Sequence, residues 1–560
     1  MEKIWLRNYD PGVPADVDLD EFSSLKDIIE KSCDTYSAAP AYYNMGARLS
    51  YAELKGLSAQ FASYLQNDLA LEKGDRVAVM LPNLLQYPVA IFGILRAGMV
   101  VVNVNPMYTP RELQHQLSDS GAKAIVILEN FAETLQAVVD ETALKQVITT
   151  QIGDMLPFPK RPLVNLAVKY IRKMVPPWEL DGAITFREAL ARGARKKMHE
   201  VPLEHGDLAF LQYTGGTTGV AKGAQLSHGN MVANLLQSHA WLSSKTVDAQ
   251  EKIITALPLY HIFSLTANCL TFMKFGGENI LITNPKDFEG FVKELGKHKF
   301  TSITGVNTLF NALLQTPGFA DLDFSTLRFT LGGGAAVQRA VANKWKEVTG
   351  VPLIEAYGLT ETSPAACINP LRLTEFNGAI GLPIPSTKVT IRDDDGNVLP
   401  LGEIGEICIS GPQVMQGYWQ REAETREVMT SDGALRTGDL GRMDEDGFVY
   451  ITDRKKDMIL VSGFNVFPNE IEEVLVSHPG ISEAAAIGIP DEKSGEMVKV
   501  FVVATDPDLT ADDIKAHCKE HLTGYKRPRQ VELRDELPKS NVGKILRREL
   551  RDEELAKLDS

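Results

Sequence analysis

Tyr213-Thr214-Gly215-Gly216-Thr217-Thr218-Gly219-Val220-Ala221-Lys222-Gly223 is the stretch whose reading decides the rest of this chain. The apolar run 207–212 before it fits a strand. Ala224-Gln225-Leu226-Ser227-His228 after it fits a return strand, and the apolar periodicity from Met231 fits a helix. Glycines let successive backbone N–H groups converge on one point, and such a nest attracts anions. Threonine hydroxyls add donors and Lys222 adds a mobile positive charge, so the expected guest is a polyphosphate. The loop is not a Walker A motif, which needs Gly-Lys-Ser/Thr opening a helix; here the lysine precedes a glycine.

Around that loop lie 560 residues, too many for one ordinary core, so at least two domains are expected. Hydrophobic residues at 44% and charged residues at 23% give a globular composition. A formal net charge of -15 argues against nucleic acid as a general partner. Cys33, Cys269, Cys367, Cys408 and Cys518 are scattered without metal-ligand spacing, which fits a reduced compartment. The start Met1–Arg7 lacks the apolar core of a signal peptide. The richest apolar stretch, Val77–Val104, is interrupted by Pro82, Asn83, Gln86, Pro88 and Arg96, and reads as buried strand–helix–strand rather than a membrane span.

Upstream of the loop the chain is polar and proline-broken to residue 50, with one helical pattern from Leu25 to Tyr36. A helix over 51–70 follows, then strands at Val77–Met80, Val100–Val104 and Ala124–Leu128 with helices between them. Downstream, Ile253–Ala256, Asn279–Ile282, Ser302–Thr304 and Arg328–Leu331 continue the alternation. It implies α/β architecture with parallel-rich sheets covered by helices. No glycine fingerprint follows the first strand, so a Rossmann NAD site is not expected. From about 385, short strands at Thr387–Arg392, Gly405–Ser410 and Phe448–Thr452 alternate with Asp-Gly turns and suggest a small β unit. A boundary falls near Asp453. Beyond it, helices at Ile471–His478 and Asp512–His521 and strands at Ile481–Ile487, Val498–Ala504 and Val531–Arg534 suffice for a small α+β domain. The expected domains are 1–452 and 453–560.

One segment stands apart. Leu163, Leu166, Tyr170 and Met174 recur at helical spacing beside Lys169, Arg172 and Lys173, in an acidic protein. Such a basic amphipathic helix packs on the core as an ordinary surface helix, or lies on anionic lipid.

Polar clusters follow several strands. His261 lies in Pro258-Leu259-Tyr260-His261-Ile262-Phe263, and read alone it is a core histidine satisfied by one hydrogen bond. Gly332-Gly333-Gly334 allow a turn or the approach of a flat ligand. Gly358 breaks Glu355–Thr362, and Thr437-Gly438-Asp439-Leu440 carries a lone aspartate. The charged run Ile451–Asp457 reads as a solvated hinge. Asn541-Val542-Gly543-Lys544 reads as a tip loop before a basic helix, where a lysine is ordinarily solvated.

Taken together, in kind and order, these motifs resemble the adenylate-forming superfamily of acyl-CoA synthetases, luciferases and nonribosomal peptide adenylation domains. The resemblance covers nearly the whole chain and points toward bacterial long-chain fatty acid–CoA ligases. It implies a large adenylation domain with a mobile C-terminal domain, and ATP, Mg²⁺ and coenzyme A as the small molecules used. It assigns Thr214, Gly215, Gly216, Thr217, Thr218, Gly219 and Lys222 to the phosphates. Gly332, Gly333, Gly334 and Tyr357 become the adenine pocket, with Tyr357 stacking, and Gly358 joins the nucleotide-binding residues. Thr360 becomes a phosphate contact, and Glu361 with Thr214 holds Mg²⁺. Asp439 becomes the ribose ligand, Arg454 a second ribose or phosphate contact, and Asp453 or its neighbour the hinge. Ser462, Gly463 and Phe464 become the loop that meets the thiol acceptor. Lys544, His261, Glu361 and Thr214 are the expected catalytic group. Lys544 reaches the attacking carboxylate and α-phosphate, and His261 positions the carboxylate or closes the pocket.

The expected partners are a long-chain fatty acid and CoA and no nucleic acid. A peripheral contact with anionic membrane through residues 160–175, a cytoplasmic location at the inner membrane and a homodimer complete the expectation. Relatives acting on medium-chain or aryl acids, a luciferase-like oxygenase and a non-catalytic nucleotide-binding scaffold are the alternative readings. One departure concerns the acyl tunnel: some long-chain members carry a tryptophan gate four residues after the matching histidine, where this chain has Leu265.

Overall fold

Val100–Asn103 and Ala124–Leu128 are buried at every position, the mark of parallel strands covered on both faces. They belong to a sheet of seven strands in the order Ile184–Thr185, Gln146–Thr150, Ala124–Leu128, Arg76–Met80, Val100–Asn103, Leu208–Thr214 and Lys222–Ser227. Neighbours pair in parallel except the last two, which are antiparallel. The helix Gln86–Arg96 beside it is buried along its whole length, which accounts for the richest apolar stretch in the sequence. These features come from a computed structural model that describes residues 3–214, 221–491 and 493–558. No described helix is long and apolar enough to cross a membrane.

A second sheet has nine strands, in the order Leu382–Pro383, Ala365–Ile368, Leu353–Gly358, Phe329–Gly332, Ser302–Gly305, Lys252–Thr255, Glu278–Leu281, Pro40–Asn44 and Ala47–Ser50. Its centre is parallel and both ends are closed by antiparallel pairs. The edge hairpin Pro40–Ser50 departs from the polar, irregular reading of that segment. Pro40 starts the first strand, where a missing N–H costs least. Met45 and Gly46 both take positive φ and turn the chain, so Tyr42 and Leu49 reach the core.

The small β unit is an antiparallel sheet of Lys388–Arg392, Gly405–Ser410, Leu435–Met443 and Val449–Arg454. Its third strand runs through Gly438 and Asp439, which the sequence offered as a polar cluster. The last sheet pairs Ile481–Asp491 with Gly495–Ala504, which also pairs with Gln530–Leu533 and with the hairpin Ile459–Val461 and Phe464–Val466. Ile471, Leu475, Ile514 and Cys518 from two helices cover one face of it, and Leu550 from the helix Arg547–Leu558 packs with Ile487 and Phe501 on the other.

Helix starts follow local chemistry. Ser50 with Glu53, Thr109 with Glu112, Ser227 with Asn230 and Thr510 with Asp513 form reciprocal caps that satisfy first-turn N–H groups. The cap at Ser227 begins the helix His228–Leu242 three residues before the apolar periodicity does. The basic segment is an α-helix over Lys160–Leu166 that widens into a π turn over Ala167–Ile171, and none of these residues is buried. Phe158 is 81% exposed, Tyr170 66% and Ile171 80%.

Candidate active site

Neighbouring strands set the first contacts. In the antiparallel pair Leu435–Met443 and Val449–Arg454, Asp439 stands opposite Arg454. The Arg454 Nε lies 3.3 Å from Asp439 Oδ1. The strand Leu353–Gly358 of the nine-stranded sheet ends there too, and Tyr357 donates its hydroxyl to Asp439 Oδ2 at 2.7 Å. Burial and the adjacent Asp439 carboxylate hold the Tyr357 phenol far above its usual range. The residues expected for adenine and ribose are thus one hydrogen-bonded group, although 82 positions separate the two side chains. The chain turns sharply after Tyr357: a Cβ on Gly358 would lie 1.8 Å from the Pro364 carbonyl oxygen, so no side chain fits. The turn Thr360–Thr362 that follows carries Glu361.

Lys544 arrives from the other end of the chain. Gly543, at φ 82°, passes so close to the helix Asn307–Gln315 that Thr308 donates to its carbonyl at 2.9 Å, and a Cβ there would meet the Thr308 hydroxyl at 2.6 Å. The tip is closed by Ser540, whose hydroxyl accepts from the Lys544 N–H at 3.1 Å. The Lys544 side chain therefore enters the space beside Asp439, Arg454 and Lys456. Burial first, then the Arg454 guanidinium, pushes its amine down to about 7, with Asp439 opposing. A lysine so placed changes charge near neutrality, as pKa values tuned at functional sites do.

His261 faces the same space. Its Nδ1 accepts from the Phe263 N–H at 3.3 Å and caps the turn that follows, so the neutral ring carries its proton on Nε2. Burial, and secondarily Lys544, pushes it down to about 4, which keeps it neutral near pH 7 and suits positioning rather than proton abstraction. Leu265 is fully buried at the start of a π turn, Leu265–Leu270. Gly332 ends the strand Phe329–Gly332, and Gly333 just after it lies between the Ala356 carbonyl and the Phe263 ring, so part of the need for glycine there is packing.

Where the phosphates are expected, Thr214 stands opposite Lys222 in the antiparallel pair on either side of the glycine-rich stretch. Gly215, Gly216, Thr217, Thr218 and Gly219 lie outside the described residues. The flanks are braced: Tyr213 donates to Asp119 at 2.7 Å, Arg421 pairs with the other Asp119 oxygen at 2.6 Å, and His115 donates to the Ala221 carbonyl at 3.0 Å. Lys222 sits over the Tyr418 ring, 5.3 Å from its centre, and Tyr418 donates to Glu361 at 2.7 Å. Glu361 is therefore tied to Lys222 through one aromatic side chain. Among the described residues no three His, Cys, Asp or Glu side chains converge into a metal cage. A single oriented carboxylate, tied through Tyr418 to Lys222, is nonetheless a donor that suits Mg²⁺, which completes its shell with phosphate oxygens and water.

Ser462, Gly463 and Phe464 are not part of this cluster. Ser462 and Gly463, both at positive φ, form the two-residue turn of a hairpin, and Phe464 stacks on Tyr525 with ring centres 4.8 Å apart, facing solvent. Asp119, Thr308 and Tyr418 carried no local signal in the sequence; each matters through a partner distant along the chain.

Residues 29–419 match the family described as AMP-binding enzyme, and residues 470–544 match the AMP-binding enzyme C-terminal domain. The chain is 57% identical over 560 residues to a long-chain-fatty-acid–CoA ligase from Escherichia coli, covering 100% of both. It is 38% identical to a long-chain-fatty-acid–CoA ligase from Bacillus subtilis, covering 99% of this chain and 98% of that one. Among solved structures, ATP-bound MatB from Rhodopseudomonas palustris is similar with a TM-score of 0.81 at 28% identity, over 95% of this chain and 99% of that chain. An anthranilate CoA ligase in complex with anthranoyl-AMP shares the fold, with a TM-score of 0.84 at 22% identity over 96% and 99%.

Proposed function

The chain belongs to the AMP-binding enzyme family, and from that premise we propose that it is an ATP-dependent, AMP-forming ligase joining long-chain fatty acids to coenzyme A. The observation that carries the reading is the delivery of Lys544 into the space beside Asp439, Arg454 and His261, by a tip loop docked through Gly543 and Thr308. A mobile point charge there can follow negative charge as it develops.

In the first half-reaction a fatty carboxylate oxygen attacks the α-phosphorus of ATP, forming an acyl-adenylate and expelling diphosphate. The bracketing pair Thr214 and Lys222 holds the polyphosphate, and Asp439 with Arg454 holds the ribose. Tyr357, Gly332, Gly333, Gly334 and Gly358 surround the base, and Thr360 adds a phosphate contact. Glu361 and Thr214 would hold Mg²⁺, which supplies neutralisation of phosphate charge. Neutral His261 orients the carboxylate, which is already ionised and needs no base. In the second half-reaction the CoA sulfur attacks the acyl carbonyl and gives up its proton to solvent, the carbonyl–phosphate oxygen bond breaks, and AMP leaves. For that step the unit 453–560 turns about Asp453, withdraws Lys544 and presents Ser462, Gly463 and Phe464. The separate position of that hairpin supports two arrangements used in turn.

Peripheral contact with an anionic membrane at the cytoplasmic face belongs to the same reading. Phe158, Leu163, Leu166, Tyr170, Ile171 and Met174 are exposed on the segment that also carries Lys169, Arg172 and Lys173. A long-chain acid partitions into lipid, so a protein lying there meets its substrate. Assembly as a homodimer completes the reading and is tested by sedimentation of the protein.

The deciding experiment is ATP–diphosphate exchange across acids of increasing chain length, first without CoA and then with it, alongside Lys544→Ala. Exchange with long acids, conversion to acyl-CoA and AMP, and loss in the variant are expected. Exchange only with short or aromatic acids overturns the substrate class, and no exchange with any acid overturns the enzyme reading.

A further inference from the structure

Asp453 is the penultimate residue of the last strand of the four-stranded sheet, Val449–Arg454, and its side chain has no solvent exposure. A carboxylate so buried persists only with partners. One is local, the Arg454 N–H at 2.7 Å to Oδ1; the others come from beyond residue 454. The Asn469 N–H, in the first turn of the helix Pro468–Val476, donates to Oδ2 at 2.8 Å, and Arg547 Nη1 lies 3.2 Å from Oδ1. The Asn469 amide also donates to the Thr452 carbonyl at 3.3 Å.

Arg547 is the centre of this group. Its Nε and Nη2 grip Glu472 as a fork, at 2.8 and 2.6 Å, Nη2 also reaches the Asn469 side chain, and Nη1 is 3.5 Å from Asp457. Glu472 is fixed in turn by the Ala486 N–H at 2.9 Å. Glu472, Asn469 and Asp457 all lie in the unit that would rotate, so they travel with Arg547. Asp453 alone among its carboxylate partners stands in a strand paired to the adenylation side, opposite Leu440. Arg547 also lies three residues after Lys544 in a short segment whose other end is docked through Gly543 on Thr308.

We propose that Arg547 is a positioning residue that couples the hinge to the catalytic lysine, its bond to Asp453 securing the arrangement in which Lys544 occupies the cleft and being given up when the C-terminal unit turns. This rests on the two-step reading above. A planar fork already seated on Glu472 points an Nη1 N–H at Asp453 without further loss of freedom, which a lysine cannot reproduce. The coupling therefore favours the first half-reaction over the second.

The test separates the half-reactions in Arg547→Lys and Asp453→Asn. Diphosphate exchange with a long-chain acid reports the first; conversion of supplied acyl-adenylate and CoA to thioester reports the second. Exchange should fall about tenfold or more, the worth of one charge-assisted hydrogen bond, while thioester formation stays near wild type. Arg548→Gln, on the exposed neighbour, should leave both unchanged. Trypsin cleavage at Arg454, Lys455 and Lys456 supplies a readout that needs no substrate, and Arg547→Lys should accelerate it. Equal loss of both half-reactions with a lowered melting temperature would mean a merely structural role and overturn the proposal, as would unchanged exchange. If the wild-type protein exchanges with no acid, the functional reading fails, and the cleavage assay still decides the coupling: unchanged cleavage in Arg547→Lys refutes it.

Discussion

Replacing Lys544 by Met removes an amine that burial and the Arg454 guanidinium push from 10.5 down to about 7. The sign of the pH effect follows from comparing the docked and undocked tip loop. Below about 7 both forms are protonated, and docking bears the full cost of placing a cation there. Between about 7 and 10.5 the undocked amine keeps a proton that the docked one has lost, so the cost shrinks as pH rises, and above 10.5 it is gone. The shift corresponds to ~5 kcal/mol at about 1.36 per unit. The Lys544 side chain is largely buried but keeps some solvent access, so screening reduces this to roughly 2–3 kcal/mol, near a hundredfold in the docked ratio. A fluorophore pair spanning the adenylation and C-terminal units, read from about pH 6 to about pH 9.5, measures docking directly. The wild-type protein should dock more as pH rises. Lys544→Met should dock at low pH with a flat profile, while diphosphate exchange falls on the order of 10²–10³-fold for loss of an electrostatic stabiliser. A Met variant that keeps the wild-type pH slope would refute the reasoning, as would wild-type docking that weakens with rising pH.

Three further outcomes are expected. Gly543→Ala brings a Cβ to 2.6 Å from the Thr308 hydroxyl at a φ of 82°, so adenylation should drop about tenfold from backbone strain alone while thioester formation and melting temperature hold; paired kinetic and thermal measurements check this. Tyr418→Phe deletes the hydroxyl bonded to Glu361, so a magnesium titration of exchange should show a weaker apparent affinity for Mg-ATP, with about 1.5–3 kcal/mol lost and the fatty-acid dependence unchanged. Tyr170→Ser combined with Ile171→Ser should reduce co-sedimentation with anionic vesicles on the order of tenfold per apolar side chain and leave turnover of a water-soluble acid unaltered.

The two strands and the helix within 207–242 were legible from apolar runs and periodicity, but the helix start was not: Ser227 and His228 read as strand, whereas Ser227 caps a helix that begins at His228. The parallel alternation was legible for the same reason: strands buried on both faces are apolar without interruption. The hairpin at 40–50 was not, because an edge strand opened by a proline and turned at Met45–Gly46 has a polar, broken composition. Asp439 looked isolated because its neighbours in space, Tyr357 and Arg454, are set by strand pairing rather than by spacing. Tyr418 braces Glu361 across 57 positions and Arg547 meets Asp453 across 94, distances over which no local pattern exists. Lys544 was reached through family resemblance; the tip loop alone gives no reason for a lysine to leave solvent, and the close pass at Thr308 supplies it.

The turn at Ser462–Gly463 stands in solvent while Lys544 fills the space beside Asp439. If one seat serves both visitors, timing follows from occupancy. Activated acid cannot meet the thiol until the lysine vacates, so a shortage of CoA leaves each chain holding one acyl-adenylate and accepting no more. The stock of activated acyl groups is then capped by the number of protein molecules, whatever the supply of fat or ATP. Rapid mixing without CoA would release diphosphate as a burst of one equivalent per chain and then fall silent.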